Sequence, residues 1–271
     1  NGRVWLNDPD VIYTGYDETS GRWNQPPQPR AELVAWISAV ALSGQSVETA
    51  DAPDALEGDR LRLTRVAMPV YRGSARPLDL FTRDLPETLA LKVDKPFGGW
   101  NVVGLFNWGE NSGPDGPIPA AEREIRVDFA QLGVAKGAAV RAYDFWNDKY
   151  LGEFKGGFSA LLKPREAAVV ALQPALARPQ FLATNRHITM GATDIKSIAW
   201  DSKTKTLSGA QSAVAGFEYH LAFYVPKGYK FKAAKLSAGA AKTGLSNGGK
   251  VMDLRFTPVK SGDLKWKLTF N

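Results

Sequence analysis

The sequence predicts α/β structure over residues 1–82, then two antiparallel β-sandwiches over 83–175 and 176–271, mostly β overall. In the first part strand-like and helix-like stretches alternate, which is the grammar of an α/β fold. From Leu85 onward short apolar runs between Gly and Pro breaks replace it, the grammar of antiparallel sandwiches. Charge also changes sign, from −4 over residues 1–175 to +10 over 176–271, within a total of +6.

The first element is a strand over Val4 to Ile12, an otherwise apolar run closed by Asp8 and Asp10, with the apolar part inside and the acidic end at a rim. Alternate side chains of a strand share a face, so both carboxylates project to one side while Pro9 withholds a ladder donor between them. Paired acids at a strand rim suggest a site. The same spacing fits an Asx-type turn, in which each Asp accepts from nearby backbone N–H groups. A polar loop through Pro26, Pro27 and Pro29 follows, in which Tyr13, Tyr16 and Trp23 read either as rim residues or as ordinary loop anchors.

Arg30 to Leu42 is helical, because Leu33, Ile37, Val40 and Ala41 share one apolar face and Ser43-Gly44 supplies a stop. Gln45 to Asp51 reads as the next strand, and Asp59 to Met68 as a second helix that Pro69 ends. Short strands are then expected at Leu89–Val93, Trp100–Trp108, Ile125–Phe129, Val140–Phe145 and Ala167–Leu172, with a turn over Trp146–Tyr150. Trp100–Trp108 is apolar on both faces, as a central strand is. Gln173 to Pro179 is a connection. Beyond it, Phe217–Val225 and Leu264–Phe270 alternate with period two, each predicting one buried face, and Asn247-Gly248-Gly249 marks a hairpin turn.

A hydrophobic fraction of 44% with eight Trp and thirteen Phe belongs to a globular protein with ample core, and 26 Gly with 17 Pro to many turns. No apolar run approaches the roughly 20 residues of a membrane span, so the chain is expected to be soluble. With no cysteine, thiol nucleophiles, thiolate metal sites and disulfides are excluded. His187 and His220, the only histidines, lie more than 30 residues apart without a cooperating motif and read as structural or surface residues. Phosphate-loop, dinucleotide-binding and Gly-x-Ser-x-Gly signatures are missing. The basic last part reads as a solvated, lysine-bearing sheet face, because its lysines are spread over many strands; the alternatives are binding of nucleic acid or attachment to acidic polysaccharide.

Trp5-Leu6-Asn7-Asp8-Pro9-Asp10 resembles the segment at the seventh barrel strand of the α-galactosidase clan of glycoside hydrolases, closest to family 36, with Asn-Asp-Pro-Asp shared by family 27. More loosely, Gly104 to Asn107 and Asp144-Phe145-Trp146 resemble elements of the β-sandwich that follows the barrel in these enzymes. The resemblance implies the C-terminal portion of an α/β barrel over 1–82, carrying its last βα units, and then the two β-sandwich domains. Its first sandwich mainly supports the barrel, so the tryptophans of that domain read as core.

Retaining glycosidases need two carboxyl groups about 5–5.5 Å apart, approaching the sugar from opposite sides. Asp8 and Asp10 lie roughly 6.5–7 Å apart at Cα on a strand, so direction rather than distance disqualifies them as that pair. In the clan the nucleophile and acid/base are aspartates on earlier strands, which implies that no catalytic residue lies in this chain. The resemblance assigns Asp10 to the substrate-binding pocket, Val11 to the same subsite and Asp8 to bracing the loop. It implies a carbohydrate substrate and a missing N-terminal part of the barrel as partners, no cofactor or metal, no nucleic-acid or membrane role, and secretion or a periplasmic location. From a different class, the alternative is a non-catalytic carbohydrate-binding β-sandwich protein that stacks glycans on Trp146 or Trp200.

Overall fold

The computed structural model describes residues 11–14, 28–44, 46–51, 54 and 56–271. Asp8, Asp10, Tyr16 and Trp23 lie outside them. Two compact units result, one from the described residues up to Leu91 with Val103–Val134 and Gly157–Val169, the other from Lys92–Val102, Ala135–Gly156 and Val170–Asn271.

The first unit opens with β1 (Val11–Ile12), α1 (Arg30–Ser43), β2 (Glu48–Thr49) and α2 (Gly58–Ala67). β1 and β2 pair in parallel, Val11 opposite Glu48 and Ile12 opposite Thr49, so the strand, helix, strand, helix order forms a parallel unit as the sequence predicts. Helix α1 keeps the expected span to within one residue: Glu32 sits in its first turn, where its charge complements the helix dipole, and Gly44 closes it at φ 69°. No other residue fits there, since a Cβ on Gly44 would stand 2.1 Å from the Gly73 carbonyl oxygen. The expectation of one apolar face is corrected. Leu33, Val34, Ala35, Ile37, Ser38, Val40, Ala41 and Leu42 are all buried, and Trp36 is 43% exposed. Periodicity reports which positions are apolar, whereas Ala35 and Ser38 are buried through smallness, Ser38 donating to the Val34 carbonyl at 2.6 Å. The second strand is shorter than its predicted run.

β3 (Arg76–Pro77), β4 (Thr88–Lys95), β5 (Gly98–Asn107), β6 (Asn111–Gly113), β7 (Gly116–Ile118), β8 (Arg123–Asp128), β9 (Ala139–Asp144), β10 (Lys149–Lys155), β11 (Gly157–Leu162) and β12 (Glu166–Pro174) follow. A six-stranded sheet has the order β10-β9-β12-β5-β4-β3. β5 is internal to it, and from Val102 to Asn107 it is buried on both faces, as its apolar sequence requires. β8 pairs with β11 and β6 with β7, each antiparallel. Gln173 and Pro174 belong to β12, so the connection is shorter than expected; Pro174 is its last residue, a position where a missing donor is tolerated.

β13 (Gln180–Thr184), β14 (Ile195–Asp201), β15 (Thr206–Ala213), β16 (Tyr219–Tyr224), β17 (Phe231–Leu236), β18 (Lys242–Ser246), β19 (Val251–Phe256) and β20 (Gly262–Phe270) complete the second unit. They form two four-stranded antiparallel sheets, β13-β16-β19-β18 and β14-β15-β20-β17. One core joins them, with Phe223, Leu221 and Leu254 from the first sheet against Leu207, Trp266 and Leu268 from the second, which makes a sandwich. β20 alternates as predicted, Leu264, Trp266, Leu268 and Phe270 inward, and Asn247–Gly249 turns β18 into β19. β16 does not alternate: Tyr219 through Phe223 are buried on both faces.

Trp266 fits only because its cross-strand neighbour is Gly209. A Cβ there would stand 2.3 Å from the indole Cζ2 and 2.6 Å from the Ser197 carbonyl oxygen. Gly209→Val is therefore expected to destabilise the chain by about 3 kcal/mol or more, read as a lower urea midpoint; an unchanged midpoint would contradict this packing.

Candidate functional site

Parallel β strands place their catalytic loops at their carboxyl ends, so the ends of β1 and β2 are where a barrel-type site would sit. Val11, half-buried on β1, is the one predicted pocket residue among those described. Two residues past β1 lies Thr14, and two past β2 lies Asp51. The Asp51 carboxylate accepts from the Thr14 backbone N–H at 2.7 Å and from its hydroxyl at 2.8 Å, and the Thr14 hydroxyl also meets that of Thr64 on α2 at 3.1 Å. All three residues are buried. This knot ties the ends of both strands to α2 and fixes the start of the loop after β1, next to half-buried Tyr13. Its chemistry is positional. In the sequence Asp51 reads only as a strand end; the signal for the knot is a Thr and an Asp at corresponding positions after two parallel strands.

Asn107, at the end of β5, is completely buried and fully used. Its amide donates to the carbonyls of Ala121 (2.8 Å) and Leu162 (2.9 Å), and its oxygen accepts from the Gly109 N–H (3.1 Å) and the Arg123 guanidinium (3.0 Å). The same Arg123 nitrogen donates to Glu87 at 2.7 Å, and Asn111 donates to that carboxylate oxygen at 3.1 Å. Burial alone would raise the Glu87 carboxyl, yet the bonds from Arg123 and Asn111 hold it below the usual carboxylate range. Glu87 and Arg123 carry no motif, and only the fold brings them to Asn107.

The Asp144-Phe145-Trp146 element builds the β9–β10 turn. Asp144 accepts from the Asn147 N–H at 3.1 Å and its amide at 2.7 Å, and Asp148 takes a left-handed conformation at φ 48°. Phe145 is core, with Trp146 edge-on to it at 5.1 Å. The turn delivers Asp148 to His220 on β16, whose Nδ1 lies 2.7 Å from Asp148 and whose Nε2 lies 2.9 Å from Asp253 on β19. Tyr143 donates to the other Asp148 oxygen at 2.9 Å, and Arg255 stands 3.4 Å away. Burial disfavours the imidazolium, but the two carboxylates outweigh it and raise the His220 pKa. Burial likewise opposes the Asp148 carboxylate, which His220 nevertheless holds below its ordinary pKa. Burial, reinforced by the Asp148 charge, drives the Tyr143 phenol far above its ordinary value. Asp148 meets the second face of β16 at His220. His220 is thus structural and buried, and His187 is buried as well.

Of the two tryptophans predicted as stacking platforms, Trp146 packs on Phe145, and Trp200 packs on Tyr229 at 5.6 Å and Phe270 at 6.1 Å; both are half-buried. In the first predicted sandwich Trp100 is 4% exposed and Trp108 stacks on Phe106 at 4.7 Å, so these two rings serve the core. No group of three or more His, Cys, Asp or Glu suited to a metal occurs among the described residues, and none of their helices is long and apolar enough to cross a membrane.

Residues 95–172 match the family model of the alpha galactosidase C-terminal beta sandwich domain. No curated protein matches the chain. Among solved structures the chain is similar to a GH27 β-L-arabinopyranosidase from Geobacillus stearothermophilus, with a TM-score of 0.49 and 16% identity over 63% of this chain and 38% of that one. It is similar to alpha-galactosidase I from Mortierella vinacea, with a TM-score of 0.44 and 12% identity over 63% and 40%. An isomalto-dextranase from Arthrobacter globiformis covers 90% of this chain and 47% of its own, with a TM-score of 0.37 and 13% identity. The chain therefore spans less than half the length of each of these structures.

Proposed function

From the premise that residues 95–172 are an α-galactosidase C-terminal β-sandwich domain, we propose that this chain is the C-terminal portion of a retaining glycoside hydrolase acting on terminal α-galactosides or related α-glycosides. That domain match is the observation that carries the reading. The parallel unit of β1, α1, β2 and α2 precedes it in the chain, in the order expected if the last βα units of a barrel precede the sandwich.

In this reading the nucleophile and the acid/base lie on strands outside the chain, which contributes one wall of the sugar pocket. Asp10 accepts hydroxyl groups of the bound sugar, Val11 lines the same subsite and Asp8 braces the loop. The Thr14–Asp51–Thr64 knot holds the loop that follows β1 at its root. The 271-residue chain alone is expected to show no turnover of a chromogenic α-galactoside, while the chain joined to its upstream barrel strands turns it over. In the joined protein Asp10→Ala is expected to lower kcat/KM about 100-fold, roughly 2.7 kcal/mol of lost transition-state binding, with Asp8→Ala acting less. Turnover by the isolated chain, or full activity of the Asp10→Ala protein, would sink the reading.

A further inference from the structure

The lysines of the last sandwich are not evenly diluted over its strands. On β20, the inward Leu264, Trp266 and Leu268 leave Lys265 and Lys267 on the outer face. Register places Lys235 of β17 directly opposite Lys267, and places Ser208 and Ala210 of β15 opposite Lys267 and Lys265 on the other side. Like charges directly opposite on one sheet face destabilise it. The three ammonium groups are exposed, and among the described residues no ion pair relieves them. Of the other charges of this face, Asp263 pairs with Lys196, while Asp201 accepts from the N–H groups of Lys203 and Thr204 in the β14–β15 turn and its carboxylate also feels the Lys267 charge.

Between the lysines the floor is made of small residues, Ser197 and Ala199 on β14 with Ser208 and Ala210 on β15, and the result is an open tray of about 400 Å³. The large rings of these strands, Trp200, Trp266 and Phe270, belong to the core side. Trp266 also borders the tray, but it is 1% exposed and its ring packs into the core, so the tray offers point charges and hydroxyls without the accessible stacking surface that single-stranded nucleic acid needs. Without arginine it also lacks the planar fork that grips phosphate in two places. What it offers are ammonium groups for dispersed anionic charge and serine hydroxyls for a ligand rich in hydroxyls.

We propose that the outer face of the β14-β15-β20-β17 sheet binds an acidic polysaccharide, whose carboxylate or sulfate groups sit between Lys235, Lys265 and Lys267 while its sugar hydroxyls meet Ser197 and Ser208. The proposal does not depend on the glycosidase reading.

The test is binding of the full 271-residue chain to immobilised polygalacturonate, with neutral dextran and duplex DNA as comparison ligands. Saturable binding to polygalacturonate that weakens as salt rises is expected, with none to dextran. Lys235→Gln with Lys267→Gln should weaken it about tenfold and flatten its salt dependence, since two counterion-releasing contacts are lost. Lys227→Gln with Lys242→Gln, exposed lysines off this face, removes the same net charge and should change affinity less than about twofold. The first double variant should melt no lower than the parent, because a like-charge pair has been removed. Absence of binding, equal loss in both double variants, a lower melting temperature of the first, or tighter binding to DNA with the same dependence on Lys235 and Lys267 would each overturn the proposal.

Discussion

Asn107→Leu is expected to lower the free energy of unfolding by about 3–4 kcal/mol, among the largest effects of any single substitution in the chain. Leucine matches asparagine in size and belongs in a strand, so the loss isolates the polar node. Two buried carbonyls, those of Ala121 and Leu162, lose their donor, and Gly109 N–H and the Arg123 guanidinium lose their acceptor. Each orphaned buried group costs about 1–3 kcal/mol, offset in part where local shifts admit water. Urea unfolding with an unchanged slope would measure it, and a loss under about 1 kcal/mol would show that the node is dispensable. Glu87→Gln should cost less, since the amide oxygen still accepts from Arg123 and Asn111, while the charge and the 3.5 Å ion pair with Arg83 are lost.

Thermal stability is expected to peak in mildly acidic solution, and His220 sets the upper limb. Its folded pKa is raised, so its contribution is complete below the unfolded value of about 6.5 and is lost as pH rises through the folded pKa. Asp194, fully buried, has its pKa pushed by burial up to about 7 and acts in the same direction, because the folded state holds a proton there that the unfolded chain releases near pH 4. Asp148 and Glu87 act oppositely: their folded pKa values are depressed, so their contributions are present above about pH 4 and lost as pH falls further. Melting temperature against pH should therefore rise to a maximum between about pH 4 and 6.5 and then decline. His220→Gln should lose stability by about 2–4 kcal/mol near pH 5, leaving Asp148 and Asp253 facing a neutral amide, and the gap to the parent should narrow toward pH 8. A gap that stays constant with pH would refute the ion-paired account of this histidine.

Much of the architecture was legible locally. The helix over Arg30–Ser43, the two-faced burial of β5, the alternation of β20 and the Asn247–Gly249 turn follow from periodicity and turn chemistry, which depend on near neighbours in the chain. The domain at 95–172 left looser traces in Gly104 to Asn107 and Asp144-Phe145-Trp146. These traces have physical reasons: Asn107 must satisfy groups on other strands, and Asp144 must shape the turn that carries Asp148. The short β6, β7 and β10–β11 segments escaped notice because few of their residues are apolar on a regular period.

What the sequence determined by itself is therefore the alternation of elements, their order, and the change from α/β to sandwich grammar, since each is encoded within a few residues. Tertiary structure alone decided which distant polar residues meet. Thr14 with Asp51, Glu87 with Arg123 and Asp148 with His220 are separated by 37, 36 and 72 positions, and their bonds exist only because strand register and packing bring them together. The same holds for the three lysines of the outer sheet face. Composition made them look dispersed, and the pairing of β17 with β20 set two of them side by side. Register is a long-range property, fixed by which apolar faces are buried together, and a single strand read alone does not contain it.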